Sequence, residues 1–339
     1  MFKKIIQSTD WHVGKKNNSD VHNDDCIEFA KWLIAQGKEH NAETCVITGD
    51  FHDVRAAINI KTLDYSIKIL EMLSEAFEKV YIIPGNHDLY HRQRRDIHSL
   101  KFAKHIKNVI VVDNPTTIDN VCFLPWLIDD EYKTLADIKA DYVFAHLEMP
   151  KFFMNSMIAM PDLGKANAEM FKGPKYVFTG HFHKRQIYEN ANGTQVIYTG
   201  NCFPHDYSDV GDVDRGCMIL ENGGSPAFIN WPDCPTYNVA ILSKLLEEPE
   251  VLLKQKSYLR VDNDLDLKYD EISFIRESLM KTFNTREIVI LPKRLEINDS
   301  FSSDITQFKT VDSMIINHLS QLESTNFEKN LLTTIYTTI

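Results

Sequence analysis

The chain has 339 residues, 43% of them hydrophobic, enough for one large domain or two with a substantial core. A formal net charge of −11 argues against a protein that coats nucleic acid by bulk electrostatics, but not against an enzyme whose carboxylates gather around divalent metal. No stretch approaches the ~18 apolar residues of a membrane span, and MFKKIIQSTD turns polar too soon for a signal peptide, so the expected location is cytoplasmic. Cys26, Cys45, Cys122, Cys202, Cys217 and Cys234 are scattered without a C-x-x-C pair and read as reduced thiols.

In chain order, apolar runs predict strands at 3–8, 44–48, 79–83, 109–112, 121–124, 141–145, 175–179, 195–199 and 216–220. Between the early ones, Cys26, Phe29, Ala30, Leu33 and Ile34 mark a helix over 24–39, and Leu63, Ile67, Leu70 and Phe77 another over 61–77. The basic stretch after position 90 reads as a further surface helix. Early strands alternating with helices, followed by hairpin-like strands, predict an α/β (α+β) layered core with a mixed sheet or two packed sheets.

Pro232 and Pro235 break the pattern near 230–238, which is the expected domain boundary. Beyond it, strands at 258–263 and 287–291 around a helix at about 270–282 form a small α/β unit. From about 310 to 339 the spacing predicts two amphipathic helices, with Asn326 as an N-cap. The domains are thus expected at 1–235, 236–300 and 301–339.

Five predicted strands end in Asp, Asn or His: STDWH (Asp10, His12), TGDFHD (Asp50, Asp53), PGNHD (Asn86, His87), FAHLE (His146) and TGHFH (His181, His183). In an α/β sheet such ends gather on one edge, where ligands bind. Asp, Asn and imidazole without thiolate suit Mn²⁺, Fe²⁺ or Zn²⁺ in an open site. Asp10, His12, Asp50, Asn86, His146, His181 and His183 exceed the needs of one ion, and a central Asp50 bridging two would make a site suited to phosphate chemistry. GDVDRG (211–216) looks like a phosphatase signature but falls after the last histidine pair, so it reads as a loop before the strand at 216.

The order D-x-H, G-D-x-x-D, G-N-H-D, H, G-H-x-H resembles the calcineurin-like metallophosphoesterase superfamily, whose fold is a β-sandwich flanked by helices. STDWHVG, GDFHDVR, PGNHDLY, LPW and GHFHKRQ are most similar to SbcD-type recombination nuclease subunits, in particular those of tailed phages. The resemblance covers residues 1–235 strongly and the remainder by architecture.

It implies Asp10, His12, Asp50 and His183 at one metal, and Asp50, Asn86, His146 and His181 at the other. Mn²⁺ is the leading ion, with Mg²⁺, Fe²⁺ or Zn²⁺ as alternatives. His87 would protonate the leaving oxygen or steady the transition-state phosphate. Asp53 departs from cellular nuclease relatives, which often carry His there; its carboxylate is expected to hydrogen-bond His87. His52 reads as a bystander.

Arg92, Arg94 and Arg95 open a locally basic stretch read as a phosphate-backbone track. By resemblance, the 236–300 unit would cap the cleft, and the terminal helices would grip the coiled-coil base of an SbcC-type ATPase. The implied activity is a 3′-to-5′ duplex exonuclease with single-strand endonuclease activity in recombination, repair and end processing, in a homodimer without membrane attachment. The rival readings are a phosphomonoesterase or cyclic-nucleotide phosphodiesterase on the same scaffold, and a non-catalytic anchor for the ATPase.

Overall fold

The structure is a computed structural model and describes residues 2–154 and 158–292. The expected terminal helices at 310–339 lie outside the described residues. The chain runs β1 (Lys4–Ser8), α1 (Asp20–Glu39), β2 (Thr44–Thr48), α2 (Ile60–Ala76) and β3 (Lys79–Ile83). A hairpin of β4 (Leu89–His91) and β5 (Arg94–His98) and a 3-10 segment at Ser99–His105 lead to β6 (Val109–Val111). Then come β7 (Thr116–Ile118), β8 (Val121–Leu124), β9 (Tyr142–His146), β10 (Tyr176–Gly180), β11 (Gln186–Glu189) and β12 (Gln195–Tyr198). They are followed by β13 (Gly216–Glu221) and β14 (Ala227–Asn230). Finally β15 (Thr236–Ile241), α3 (Leu242–Glu247), α4 (Pro249–Leu252), β16 (Ser257–Asp262), α5 (Tyr269–Phe283) and β17 (Glu287–Leu291) build a small parallel sheet. Residues up to Leu291 form one compact unit.

Two six-stranded mixed sheets make the body, in the orders β14-β13-β1-β2-β3-β6 and β11-β12-β10-β9-β8-β7. In the first, β1, β2, β3 and β6 are parallel, with β13 and β14 antiparallel at one edge. In the second, β8, β9, β10 and β12 are parallel. The period of two decides which layer each side chain joins. Along β2, Val46 packs with Phe144 and Phe178 of the other sheet, while Cys45 and Ile47 face Phe29 and Leu33 of α1 and Leu70 of α2. On the second sheet Val143, Ala145 and Val177 pack outward on Leu135 and Phe171. Strands covered on both faces read as unbroken apolar runs, which is why the sequence pattern finds them.

The basic stretch predicted as a helix is instead the β4–β5 hairpin and the 3-10 segment. Its charges are held along β5 or by the loop that follows β6, as when Arg94 pairs with Asp96 at 3.0 Å and Lys104 with Asp113 at 2.6 Å. GDVDRG closes the loop before β13, and Arg215 there is buried against Asp209 at 3.2 Å and Asp212 at 2.8 Å. Among the described residues no helix is long and apolar enough to cross a membrane.

The small sheet docks on the body through specific polar contacts. Arg286 forms a bidentate pair with Asp25 of α1 at 2.5 and 2.7 Å. Tyr237 and Tyr258 stack with centroids 4.6 Å apart, and Lys16 lies 4.0 Å above the Tyr258 ring.

Candidate metal centre

The carboxyl ends of β1, β2, β3, β9 and β10 converge, bringing the five predicted strand-end motifs to one place. The backbone is forced there: Asp10, His12 and Asp50 take left-handed φ of 52°, 48° and 48°. Such conformations cost on the order of 1–3 kcal/mol each and persist where surrounding contacts over-determine them. Asp10 donates its amide to the Gly49 carbonyl at 3.1 Å and His12 its amide to the Asp50 carbonyl at 3.1 Å, so the β1 and β2 loops lock together. A Cβ at Gly85 would strike the Asp50 carboxylate, and one at Gly180 would strike Thr9, which explains glycine at both closest approaches.

Three of the four predicted histidine ligands have one ring nitrogen beside an acceptor and the other turned inward. His146 Nδ1 donates to the Thr48 carbonyl at 2.8 Å, leaving Nε2 3.3 Å from Asp50 Oδ2 and 3.2 Å from Asn86 Oδ1. His12 Nδ1 lies 3.1 Å from the Asp53 carboxylate, and its Nε2 is 3.9 Å from Asp10 and 4.0 Å from Asp50. His181 places Nε2 3.4 Å from Glu148, with Nδ1 2.8 Å from Asn86 Oδ1. His183 Nε2 sits 3.3 Å from His12 Nε2. Fixing one nitrogen on an acceptor sets tautomer and orientation, as at protein metal sites.

Donor atoms of Asp10, His12 and Asp50 lie within 4.8 Å of one another, as do those of Asp50, His146 and His181. Asp50 belongs to both groups. Burial pushes its carboxyl up, yet His146 and His12 outweigh this and hold it well below the usual carboxylate range. Burial, with the neighbouring Asp50 adding to it, pushes Asp10 up despite His146 and His12. Burial pulls His146 down, but Asp50 and Asp10 carry it up to about 9. Burial and the adjacent His12 drive His183 down to about 3. Oxygen and imidazole donors without thiolate, packed around two neighbouring buried carboxylates, fit divalent cations.

His87 stands beside these groups. Its amide donates to Asp50 Oδ1 at 2.7 Å and its Nδ1 to the Asp53 carbonyl at 2.7 Å. The expected bond from the Asp53 carboxylate to His87 is therefore not formed. The main chain of Asp53 takes His87, because its side chain is turned to His12 and to Lys15 at 3.7 Å.

Of the predicted DNA-contacting arginines, Arg95 is corrected. It is 8% exposed, with a bidentate pair to Glu131 at 2.5 and 2.6 Å and a bond to the Trp126 carbonyl, so its guanidinium is turned inward and buried rather than presented to a phosphate track. Arg94 and Arg92 are exposed, and Arg92 lies over the Trp126 ring at 5.3 Å and 3.4 Å from Glu148, at the edge of the centre.

Sequence reasoning assigned no role to Asp88, Glu148 or His205. Asp88 is fully buried and accepts from the amides of His52 at 3.0 Å, Phe51 at 3.3 Å and Gly85 at 2.9 Å, tying the GDFH and GNHD loops together. The D of GNHD was its signal. His52, the expected bystander, is a core histidine between Ser99 and Ser66 at 2.8 and 2.9 Å.

The profile of the calcineurin-like phosphoesterase family matches residues 3–185, more than half of the chain. Exonuclease subunit 1 of Enterobacteria phage T4 is 30% identical over 227 residues, 64% of this chain; the match spans 64% of that relative, under two thirds of its length. The SbcD component of the SbcCD nuclease of Staphylococcus epidermidis is 21% identical over 384 aligned positions, 98% of each chain. The crystal structure of a dimetal phosphatase from Danio rerio aligns over 65% of this chain and 92% of its own, with 10% identity and a TM-score of 0.42, too slight a likeness to carry any argument. With the family profile laid over the motifs that build the centre, whose oxygen and imidazole donors fit divalent metal, the chain belongs to the calcineurin-like phosphoesterases.

Proposed function

We propose that the chain is a dinuclear-metal DNA nuclease of the SbcD type, acting as a 3′-to-5′ exonuclease on duplex ends and as an endonuclease on single strands. The observation that carries the dinuclear reading is the position of Asp50 Oδ2, 3.3 Å from His146 Nε2 and 4.0 Å from His12 Nε2. A single carboxylate between two donor groups is the arrangement a bridging ligand needs. Asp10, His12, Asp50 and His183 would hold one ion, and Asp50, Asn86, His146 and His181 the other, with Mn²⁺ as the favoured metal. When bound, such a pair supplies charge neutralisation for a phosphodiester and activation of water.

The chain's own residues do the rest. His87 is fixed through its amide and Nδ1, leaving Nε2 as the nitrogen free to meet the leaving 3′ oxygen and, as imidazolium, to give it a proton. Arg92, already at the edge of the centre, and exposed Arg94 would meet backbone phosphates. The two curated relatives are named as subunits of nucleases, which supports a DNA substrate and a partner. The partner we infer is an SbcC-type coiled-coil ATPase bound through 301–339, with the nuclease itself a homodimer in the cytoplasm and the 236–300 unit capping the cleft.

An end-labelled blunt duplex incubated with the chain in Mn²⁺, beside a small phosphomonoester, tests the reading. Stepwise loss from 3′ ends, abolished by His87→Ala, is expected. Intact DNA beside rapid phosphomonoester turnover would replace the nuclease with the phosphomonoesterase alternative.

A further inference from the structure

His205 lies against the centre although no expected ligand motif includes it. It follows β12 in the segment Cys202–Asp206 and is fully buried. Its ring centroid is 5.4 Å from those of both His12 and His183. One ring nitrogen from each of the three histidines lies within 4.8 Å of the other two. The group formed by Asp10, His12 and Asp50 shares His12 with this cluster.

The main chain fixes where the ring sits. The His205 amide donates to Asp209 Oδ2 at 2.8 Å, and its carbonyl accepts from the Tyr237 hydroxyl at 2.8 Å. Arg215 in turn holds Asp209 at 3.2 Å. The ring itself has almost nothing: Nδ1 has no hydrogen-bond partner among the described residues, and Nε2 meets the Cys202 sulfur at 3.9 Å. Phenylalanine would pack equally well on Phe203 and His22, whose rings lie 5.0 and 5.2 Å away, without burying two polar nitrogens. Buried polar atoms are nearly always paired, and a bound ion is one of the few partners that satisfies an imidazole nitrogen facing other imidazoles.

We propose that His205 is an additional ligand of the ion held by Asp10, His12, Asp50 and His183, and that this third imidazole makes that half of the centre more receptive to nitrogen-preferring Fe²⁺, Co²⁺ or Zn²⁺ than the other half. The assignment rests on the dinuclear reading above. Imidazole donors favour these ions, whereas oxygen-rich sites suit Mn²⁺ and Mg²⁺. The two halves of the centre then differ in metal preference, because among the described residues the half built on Asn86, His146 and His181 gains no further imidazole comparable to His205.

The test is metal binding by the full-length chain, read without turnover. In metal-free protein labelled with ¹⁵N-histidine, Zn²⁺ loading is expected to shift ring-nitrogen resonances to the coordinated range in five histidines (His12, His146, His181, His183 and His205). Coordination confined to the first four overturns the proposal. In parallel, Co²⁺ is titrated into wild type, His205→Phe and His205→Gln, each checked for folding by circular dichroism. Wild type is expected to take two Co²⁺. The variants are expected to bind one of them at least tenfold more weakly and to change the visible ligand-field bands, since a nitrogen donor has been lost. Unchanged bands in a folded variant overturn the proposal whether or not affinity falls, because an outer-sphere support can lower affinity without leaving the coordination sphere. Binding of only one Co²⁺ by wild type would overturn the dinuclear reading itself.

Discussion

Asp53 orients His12 through its carboxylate, whose Oδ1 lies 3.1 Å from His12 Nδ1, while its main-chain carbonyl takes His87. The side chain therefore acts on His12, a proposed metal ligand, rather than on His87, the proposed proton donor. Asp53→Ala is expected to weaken metal binding by about 10–100-fold, the usual effect of removing such a support. Turnover should largely recover at saturating Mn²⁺, because the carbonyl that holds His87 remains. Rates measured against Mn²⁺ concentration check this; a rate defect that persists at saturation would place the carboxylate with the acid instead.

Asp88 is the brace between two ligand loops. Replacing it by alanine strips a charged acceptor from three amides, of Phe51, His52 and Gly85, and from the Ser99 hydroxyl. A loss of about 3 kcal/mol of stability is expected, since hydrogen bonds to a charged group contribute roughly 1.5–3 kcal/mol and the freed donors stay buried. Urea unfolding measures it, and Asp88→Asn should fall between wild type and alanine.

The arginines of the basic stretch separate into two kinds. Arg95→Ala should cost stability, by about 2 kcal/mol, below the range of a fully buried pair because Glu131 keeps 28% side-chain exposure. Arg92→Ala should leave stability unchanged but weaken DNA binding and reduce the slope of log affinity against log salt by about 1. Thermal unfolding and salt-dependent binding of a short duplex read the two effects independently.

The Arg95–Glu131 pair also has a pH signature. Burial pushes the Glu131 carboxyl up, but the Arg95 guanidinium and the Ile128 amide outweigh it and leave its pKa below the usual glutamate value. A depressed carboxyl contributes stability that is present above its unfolded pKa, about 4.3, and is lost as pH falls through the folded value. Wild type should therefore exceed Glu131→Gln in stability at pH 6, with the gap closing as the solution is taken below about pH 4. Chemical denaturation across that range checks the sign.

The strands and the gathering of the strand-end motifs were legible because both signals are local. A parallel strand buried on two faces is a short apolar run, and Gly49–Asp50 or Gly85–Asn86 directly after it marks the carboxyl end where ligands gather. The hairpin after His87 was not, since its helix-like spacing of charges reflects partners such as Glu131 and Asp113 that only the tertiary structure brings near. The antiparallel edge strands at 116–118, 186–189 and 227–230 are short and partly polar and give weak patterns. His205 sits between Pro204 and Asp206 with no strand-end signature, so only the fold reveals that it reaches His12 and His183. The choice made by Asp53 is likewise invisible in sequence, because it depends on which of two neighbouring histidines its side chain faces.

Whether Asp50 joins two metal sites is read by electron paramagnetic resonance of the full-length chain loaded stepwise with Mn²⁺. The second equivalent is expected to convert an isolated-ion spectrum into that of a spin-coupled pair, and Asp50→Ala to abolish the coupling. Saturation at one Mn²⁺ with an uncoupled spectrum, or two ions that remain uncoupled in wild type, would contradict a bridging Asp50.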